Sequence, residues 1–270
     1  PNTGKIFYRL NGGSFISANM AQLSPNKYKA TIPAQPCNTN IDYYFQATTT
    51  AQTTPPPALP ALTVPYPSDA PTFSFYLPIA QGIIDQWADN FETDRGWSGV
   101  SPEDTAITGR WTRNIPQGTD AQPAADHTEV GTRCWVTDYR AGQQISDFDV
   151  DGGSTTLTSP LLDATNMTSP RISYWLWYSN DVGPVQPNTN VFSVDVSNNN
   201  GVSWIPVKTY GPTGERTHGH WFEDGFLVGD YVTPSNSILV RFIASDVSGA
   251  IVEAAIDDFK LSSLDCSPPP

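Results

Sequence analysis

Apolar and polar positions alternate with a period of two along most of the chain, in short runs broken by Gly, Pro and Asn. Lys5-Ile6-Phe7-Tyr8-Arg9-Leu10 reads as a strand, and Asn11-Gly12-Gly13 after it as a hairpin turn. Residues 15–20, 27–32, 41–48 and 73–77 continue the pattern; in the second of these Tyr28, Ala30 and Ile32 alternate with Lys27, Lys29 and Thr31. Past residue 87 long loops come first, and strands follow over residues 171–179, 191–197, 204–210, 221–227, 238–244 and 252–261. No stretch carries a convincing amphipathic helix. The pattern predicts an all-β chain: a small β-sandwich over residues 1–78, a linker at 79–86, a larger jelly-roll β-sandwich over 87–266, and a Pro-rich tail at 267–270. Pro55-Pro56-Pro57 and Pro60 read as a stiff loop within the first part.

Charge narrows the partners. Over 270 residues, 14 Lys and Arg face 27 Asp and Glu, a formal net charge of −13. Nucleic-acid binding needs clustered basic residues, so that class is excluded, as is docking on anionic membranes. No apolar run is long enough for a membrane span. Low charge density, 25 Pro and 20 Gly suit a secreted or cell-surface β protein. The chain begins Pro1-Asn2-Thr3-Gly4 without an initiator Met, which reads as a mature or excised fragment.

Against this background one strand stands out. Ala254-Ala255-Ile256-Asp257-Asp258-Phe259-Lys260-Leu261 carries two adjacent carboxylates in an apolar run. A buried carboxylate is costly unless paired or bound to a cation, and basic partners are scarce. Calcium, with its all-oxygen ligands, is the first candidate. Glu92 on the first strand of the larger part, and the loop carboxylates Asp126 and Asp151, are the expected completers. Gly152-Gly153 would let backbone carbonyls bend inward. The ion is expected to be structural. By strand alternation Asp257 and Asp258 point apart, so they are not a catalytic acid–base pair.

Two resemblances add to this reading. The Tyr43-Tyr44-Phe45 strand and the spacing around it resemble fibronectin type III and immunoglobulin-like modules. In the larger part, Asp89-Asn90-Phe91-Glu92, residues 173–178 and Ala255-Ile256-Asp257-Asp258-Phe259 resemble the jelly-roll family that includes MAM domains and the cleaved-adhesin domains of bacterial surface proteases. With residues 131–137 and 149–153 added, the set is similar to accessory modules at the C-termini of secreted bacterial zinc carboxypeptidases. This implies a non-catalytic, calcium-binding accessory or adhesion region. It would lie downstream of a parent catalytic domain and attach to a glycan or an extracellular protein surface.

Other residues leave alternatives. Eight Trp is high for this length. Trp175 and Trp177 share one strand face and Tyr174, Leu176 and Tyr178 the other, which reads as a central strand covered on both sides or as one face exposed for sugar stacking; core packing is the favoured reading. Trp97, Trp111 and Trp135 lie in the loop-rich part and are the candidates for an exposed sugar-stacking platform, which would make the chain a carbohydrate-binding module. A hydrolase using Asp/Glu chemistry is a third reading. His218-Gly219-His220 reads as a pair of solvated histidines. Of the three Cys, Cys134 and Cys266 are expected to close a disulfide, leaving Cys37 over.

Overall fold

The computed structural model describes residues 3–49 and 62–267; the Pro55–Pro60 loop and the last three residues of the expected tail lie outside them. The protein is all-β and divides into two compact units, Pro1–Gly82 with Asp265–Pro270, and Ile83–Leu264.

In the first unit β1 (Lys5–Leu10) folds back on β2 (Ile16–Asn19). The turn uses Asn11 and Gly12, both at positive φ, where Asn and Gly pay least. β3 (Ala21–Ser24) and β4 (Lys27–Lys29) form a separate hairpin. β5 (Thr39–Thr48) is the central strand. It pairs with β1 along one edge, and along the other with β6 (Thr63–Tyr66) and β7 (Phe75–Ile79) in turn. Tyr44 stacks on Phe7 with ring centroids 4.8 Å apart, and Ile6, Tyr8, Ile41 and Tyr44 are buried.

The disulfide of this unit joins Cys37 to Cys266, with Cα atoms 5.7 Å apart. This corrects the expected Cys134–Cys266 pair. Cys134 sits instead on a strand of the second unit, fully buried and unbonded, and behaves as a small hydrophobe.

The second unit opens with β8 (Gly82–Asp89), so most of the residues expected to be a linker are strand. There follow β9 (Trp111–Asn114), β10 (Cys134–Thr137), β11 (Gly153–Thr158), β12 (Arg171–Val182), β13 (Phe192–Ser197), β14 (Ile205–Tyr210), β15 (His218–Leu227), β16 (Leu239–Asp246) and β17 (Ile251–Asp265). One sheet runs β15-β12-β17-β10-β9 with β8 also on β17, so the first and last strands of the unit meet. The other runs β11-β16-β13-β14. The two stack as a sandwich.

On β12 the residues Ile172, Tyr174, Leu176 and Tyr178 are fully buried. They face the second sheet: Tyr174 meets Phe242 edge-on at 4.9 Å, and Tyr178 meets Phe192 at 5.6 Å. The Tyr174 hydroxyl lies 2.9 Å from that of Tyr210, which donates to Asp224 at 3.0 Å; Asp224 in turn pairs with Lys208. The intervening residues Trp175 and Trp177 turn to the outer face of the same sheet, as strand alternation requires.

That outer face is partly roofed by the long β9–β10 connection. Trp177 Nε1 donates to Ala121 O at 2.7 Å and Trp221 Nε1 to Ala125 O at 3.3 Å. Cys134, Val136 and Ala255 form a small second core beneath, against Tyr139, Trp177 and Trp221. Among the described residues no helix is long and apolar enough to cross a membrane.

Candidate functional site

The acidic strand is β17, and its geometry rests on one extra residue. Trp175 of β12 pairs with Asp257, but Ser173 pairs with Lys260. Two steps along β12 thus oppose three along β17, and the inserted residue is Asp258, at φ 46°. A bulge of this kind breaks the period of two. Asp257 and Asp258 therefore face the same side, where alternation had sent them apart. Thr128 touches both: its backbone N–H donates to Asp257 Oδ2 at 3.2 Å and its hydroxyl to Asp258 Oδ1 at 2.9 Å. His127 does the same, donating its N–H to Asp257 Oδ2 at 2.8 Å and placing Nδ1 2.6 Å from Asp258 Oδ2.

Glu92 reaches the same region from the turn after β8. Asp89 Oδ1 accepts the Phe91 N–H and Asp89 Oδ2 the Trp97 indole N–H, which folds the chain so that Phe91 enters the core at φ 57°. Glu92 is left pointing out, where Oε1 accepts the N–H groups of Thr132 and Arg133 at 2.8 and 2.7 Å. Asp126 completes the group. A Cβ on Gly131 would lie 2.3 Å from Asp126 Oδ2 and 3.0 Å from Glu92 Oε1, so only glycine fits between the two carboxylates.

Electrostatics set these carboxylates apart. Burial pushes Asp257 up to about 7 against the pull of its backbone hydrogen bonds. Burial, and then the neighbouring Glu92 and Asp258, raise Asp126. Burial also acts to raise Glu92, but the amides of Thr132 and Arg133 outweigh it and hold that group low. Asp126 Oδ2 is buried without a hydrogen-bond partner. That oxygen is the one this group leaves open to a hard cation such as the calcium expected from the sequence; among the described residues, the carboxylates whose oxygens all lie within 4.8 Å of one another do not include these four.

Asp151 does not join this group, a correction to the sequence expectation. It belongs with Asp149 and Asp246, each offering one oxygen to a set whose members all lie within 4.8 Å of one another. The chain between β10 and β11 carries Asp151 to the end of β16, away from the roof loop that holds Asp126. Asp149, absent from the residues expected to bind the ion, is pushed up to about 7 by burial and by Asp151 beside it.

The aromatic platform is also elsewhere. Trp97, Trp111 and Trp135 are only 7%, 4% and 8% exposed. Trp97 packs edge-on against Phe91 and Phe259, and Trp111 donates its indole N–H to Thr155 O at 3.2 Å. Trp135 lies on β10 opposite Ile256. All three are core.

Trp175, Trp177 and Trp221 are half-exposed on the outer face of the first sheet. Of these, Trp175 borders a cleft of about 350 Å³ that is also lined by Ser173, Tyr174, Glu223, Asp258 and Lys260. His127 lies flat against Trp175 at its edge. His218, at the start of β15, places Nδ1 2.6 Å from Asp181 Oδ2.

No protein-family model matches the chain, and no curated protein matches it. Similar solved structures exist. The K1 cleaved adhesin domain of Lys-gingipain from Porphyromonas gingivalis W83 is 13% identical, with a TM-score of 0.42, over 67% of this chain and 98% of that one. The CBM61 module solved with β-1,4-galactotriose is 14% identical, with a TM-score of 0.35, over 62% and 88%. The CBM22-1 xylan-binding domain of Paenibacillus barcinonensis Xyn10C is 14% identical, with a TM-score of 0.37, over 67% and 95%. Likeness at this level does not define what the present chain binds.

Proposed function

We propose that the second unit is a non-catalytic attachment module that holds a neutral saccharide in the cleft beside Trp175. The observation that carries this is the cleft itself: an indole edge, two carboxylates and a lysine set around one shallow depression on an open sheet face. The Trp175 indole, with His127 stacked on it, offers an apolar edge to the C–H groups of a sugar, while Glu223, Asp258 and Lys260 offer acceptors and a donor to its hydroxyls. The net charge of −13 disfavours an anionic glycan.

In the same reading calcium sits among Glu92, Asp126 and Asp257, with Asp258 beside them. It fastens the roof loop to the last strand, so that Asp258 and His127 are held at the cleft. The ion supplies positive charge to buried carboxylates and takes no part in any reaction. The first unit would then be a fibronectin- or immunoglobulin-like spacer, and the whole an accessory region of a secreted bacterial enzyme or surface protein. The Cys37–Cys266 bond supports an oxidising compartment.

Binding of the chain to a panel of neutral polysaccharides tests this. Trp175→Ala should abolish retention with near-ultraviolet circular dichroism otherwise preserved. Trp97→Ala should instead cost about 3–5 kcal/mol of stability. Failure to bind any neutral glycan, or turnover of glycosides by the isolated chain, would overturn the proposal.

A further inference from the structure

The Asp149, Asp151 and Asp246 group has no part in the cleft or in the clasp around Asp257. Asp149 and Asp246 are 1% and 0% exposed. Each has one oxygen committed to the protein. Asp149 Oδ2 accepts the Val252 N–H at 3.3 Å. Asp246 Oδ1 accepts the N–H groups of Ser248 and Gly249 at 2.7 and 2.9 Å, and the Asn190 side-chain amide at 3.0 Å. The other oxygens, Asp149 Oδ1 and Asp246 Oδ2, are buried with no partner.

Such atoms are expensive. Buried polar groups are nearly always satisfied, and a buried anion is stable only when paired or metal-bound. Among the described ion pairs none uses these three residues. Two carboxylate oxygens of this quality in one three-carboxylate group point to a missing positive charge.

Donor chemistry selects the ion. The three donor oxygens lie within 4.8 Å of one another. An all-oxygen set of carboxylates suits a hard cation, and calcium accepts an irregular protein cage where magnesium demands near-ideal octahedral geometry and keeps several of its waters. The scaffold around the group is tight. A Cβ on Gly109 would come within 2.4 Å of the Val150 backbone, and Val150 N–H donates to Val252 O at 3.0 Å.

We propose that Asp149, Asp151 and Asp246 hold a second calcium ion, distinct from the one at Asp257, which ties the loop before β11 to the turn between β16 and β17. The three donors come from two segments far apart in sequence, so the ion would staple the end of the sandwich where those segments meet.

Isothermal titration of the chelator-stripped full chain with calcium chloride tests the assignment. Asp149→Asn and Asp151→Asn should each lose one calcium equivalent relative to wild type, while Asp257→Asn keeps that equivalent. Calcium should still raise the melting temperature of the Asp257→Asn chain. Asp151 is only half-buried, so its variant keeps the fold and separates lost binding from lost structure. Unchanged stoichiometry and affinity in both Asp149→Asn and Asp151→Asn overturn the proposal, as does absence of calcium uptake by the wild-type chain. If only the Asp257 site fails, wild type and Asp257→Asn both bind one ion and this proposal stands.

Discussion

His127 lies flat on Trp175, with ring centroids 3.6 Å apart and planes at 14°. The same imidazole bonds Asp258, so one residue of the roof loop grips both β12 and β17. His127→Ala removes the stack and that contact together. A stacked aromatic pair contributes about 0.5–1.5 kcal/mol, and an ordinary half-exposed hydrogen bond about the same. Urea unfolding of the variant should show a loss of about 1–3 kcal/mol, and saccharide affinity should fall as the loop loosens.

Chelation should act on the same loop. Calcium at the proposed clasp would offset the charge of buried Asp257 and the partnerless Asp126 Oδ2, so EDTA should lower the melting temperature by several degrees at neutral pH. Gly131→Ala should mimic this in part. Its new methyl group must displace the Asp126 carboxylate, so calcium affinity should drop by about tenfold or more with little change in strand content by far-ultraviolet circular dichroism. A melting curve insensitive to EDTA would count against the clasp.

Thiol counting checks the cysteine assignment. Burial, and then the carboxylates of Asp257, Asp126 and Glu92, push the Cys134 thiol well above its ordinary range. A thiol reagent should therefore find no reactive cysteine in the native chain. One should appear after unfolding without reductant, and three after reduction. Two thiols in the unreduced, unfolded chain would be incompatible with the Cys37–Cys266 bond, as would a native reaction at Cys134.

Stability should fall as pH rises from acid to neutral in the calcium-free chain. Glu253 is buried against Thr137 and Gln122, with Oε2 2.7 Å from the Thr137 hydroxyl. Burial raises its pKa well above 4.5. A carboxyl raised in the folded state contributes full stability below its unfolded pKa. That contribution is lost as pH climbs toward the folded value, by up to about 1.4 kcal/mol per pH unit. Asp149 and Asp257, raised to about 7, act with the same sign. Glu253→Gln keeps a neutral amide in place of the protonated acid. Urea unfolding at pH 5 and pH 8 should show a smaller difference for this variant than for wild type.

Much of the sheet structure is legible in the residues. The alternation of Lys5–Leu10 and the Asn-Gly turn after it give β1 with its observed ends, because a hairpin's turn and a half-buried strand are local matters. The pairing of the first and last strands of the second unit is legible too, and appears as β8 on β17.

What is not legible depends on contacts distant in sequence. Trp97 and Trp111 sit in loop-like sequence yet are buried, because Asp89 and the Thr155 carbonyl satisfy their indole N–H groups inside the core. Asp151 shares the loop signature of Asp126 but is carried to Asp246 by a bridge to Thr108 and the β11–β16 pairing. Cys37 and Cys266 are 229 residues apart, and no spacing rule joins them. One hint was available: Trp175 and Trp177 alternate with Tyr174, Leu176 and Tyr178, so one aromatic face had to lie away from the core.

The bulge at Asp258 absorbs one residue without disturbing the alternation on either side of it. Ile256, Phe259 and Leu261 fall into the core while Lys260 stands outside. Deleting that single position would leave the strand in plain alternation, with Phe259 following Asp257 and still turned inward, and would remove only the second carboxylate from the outer face. The acidic doublet can therefore be trimmed to one carboxylate by shortening the chain as well as by substitution.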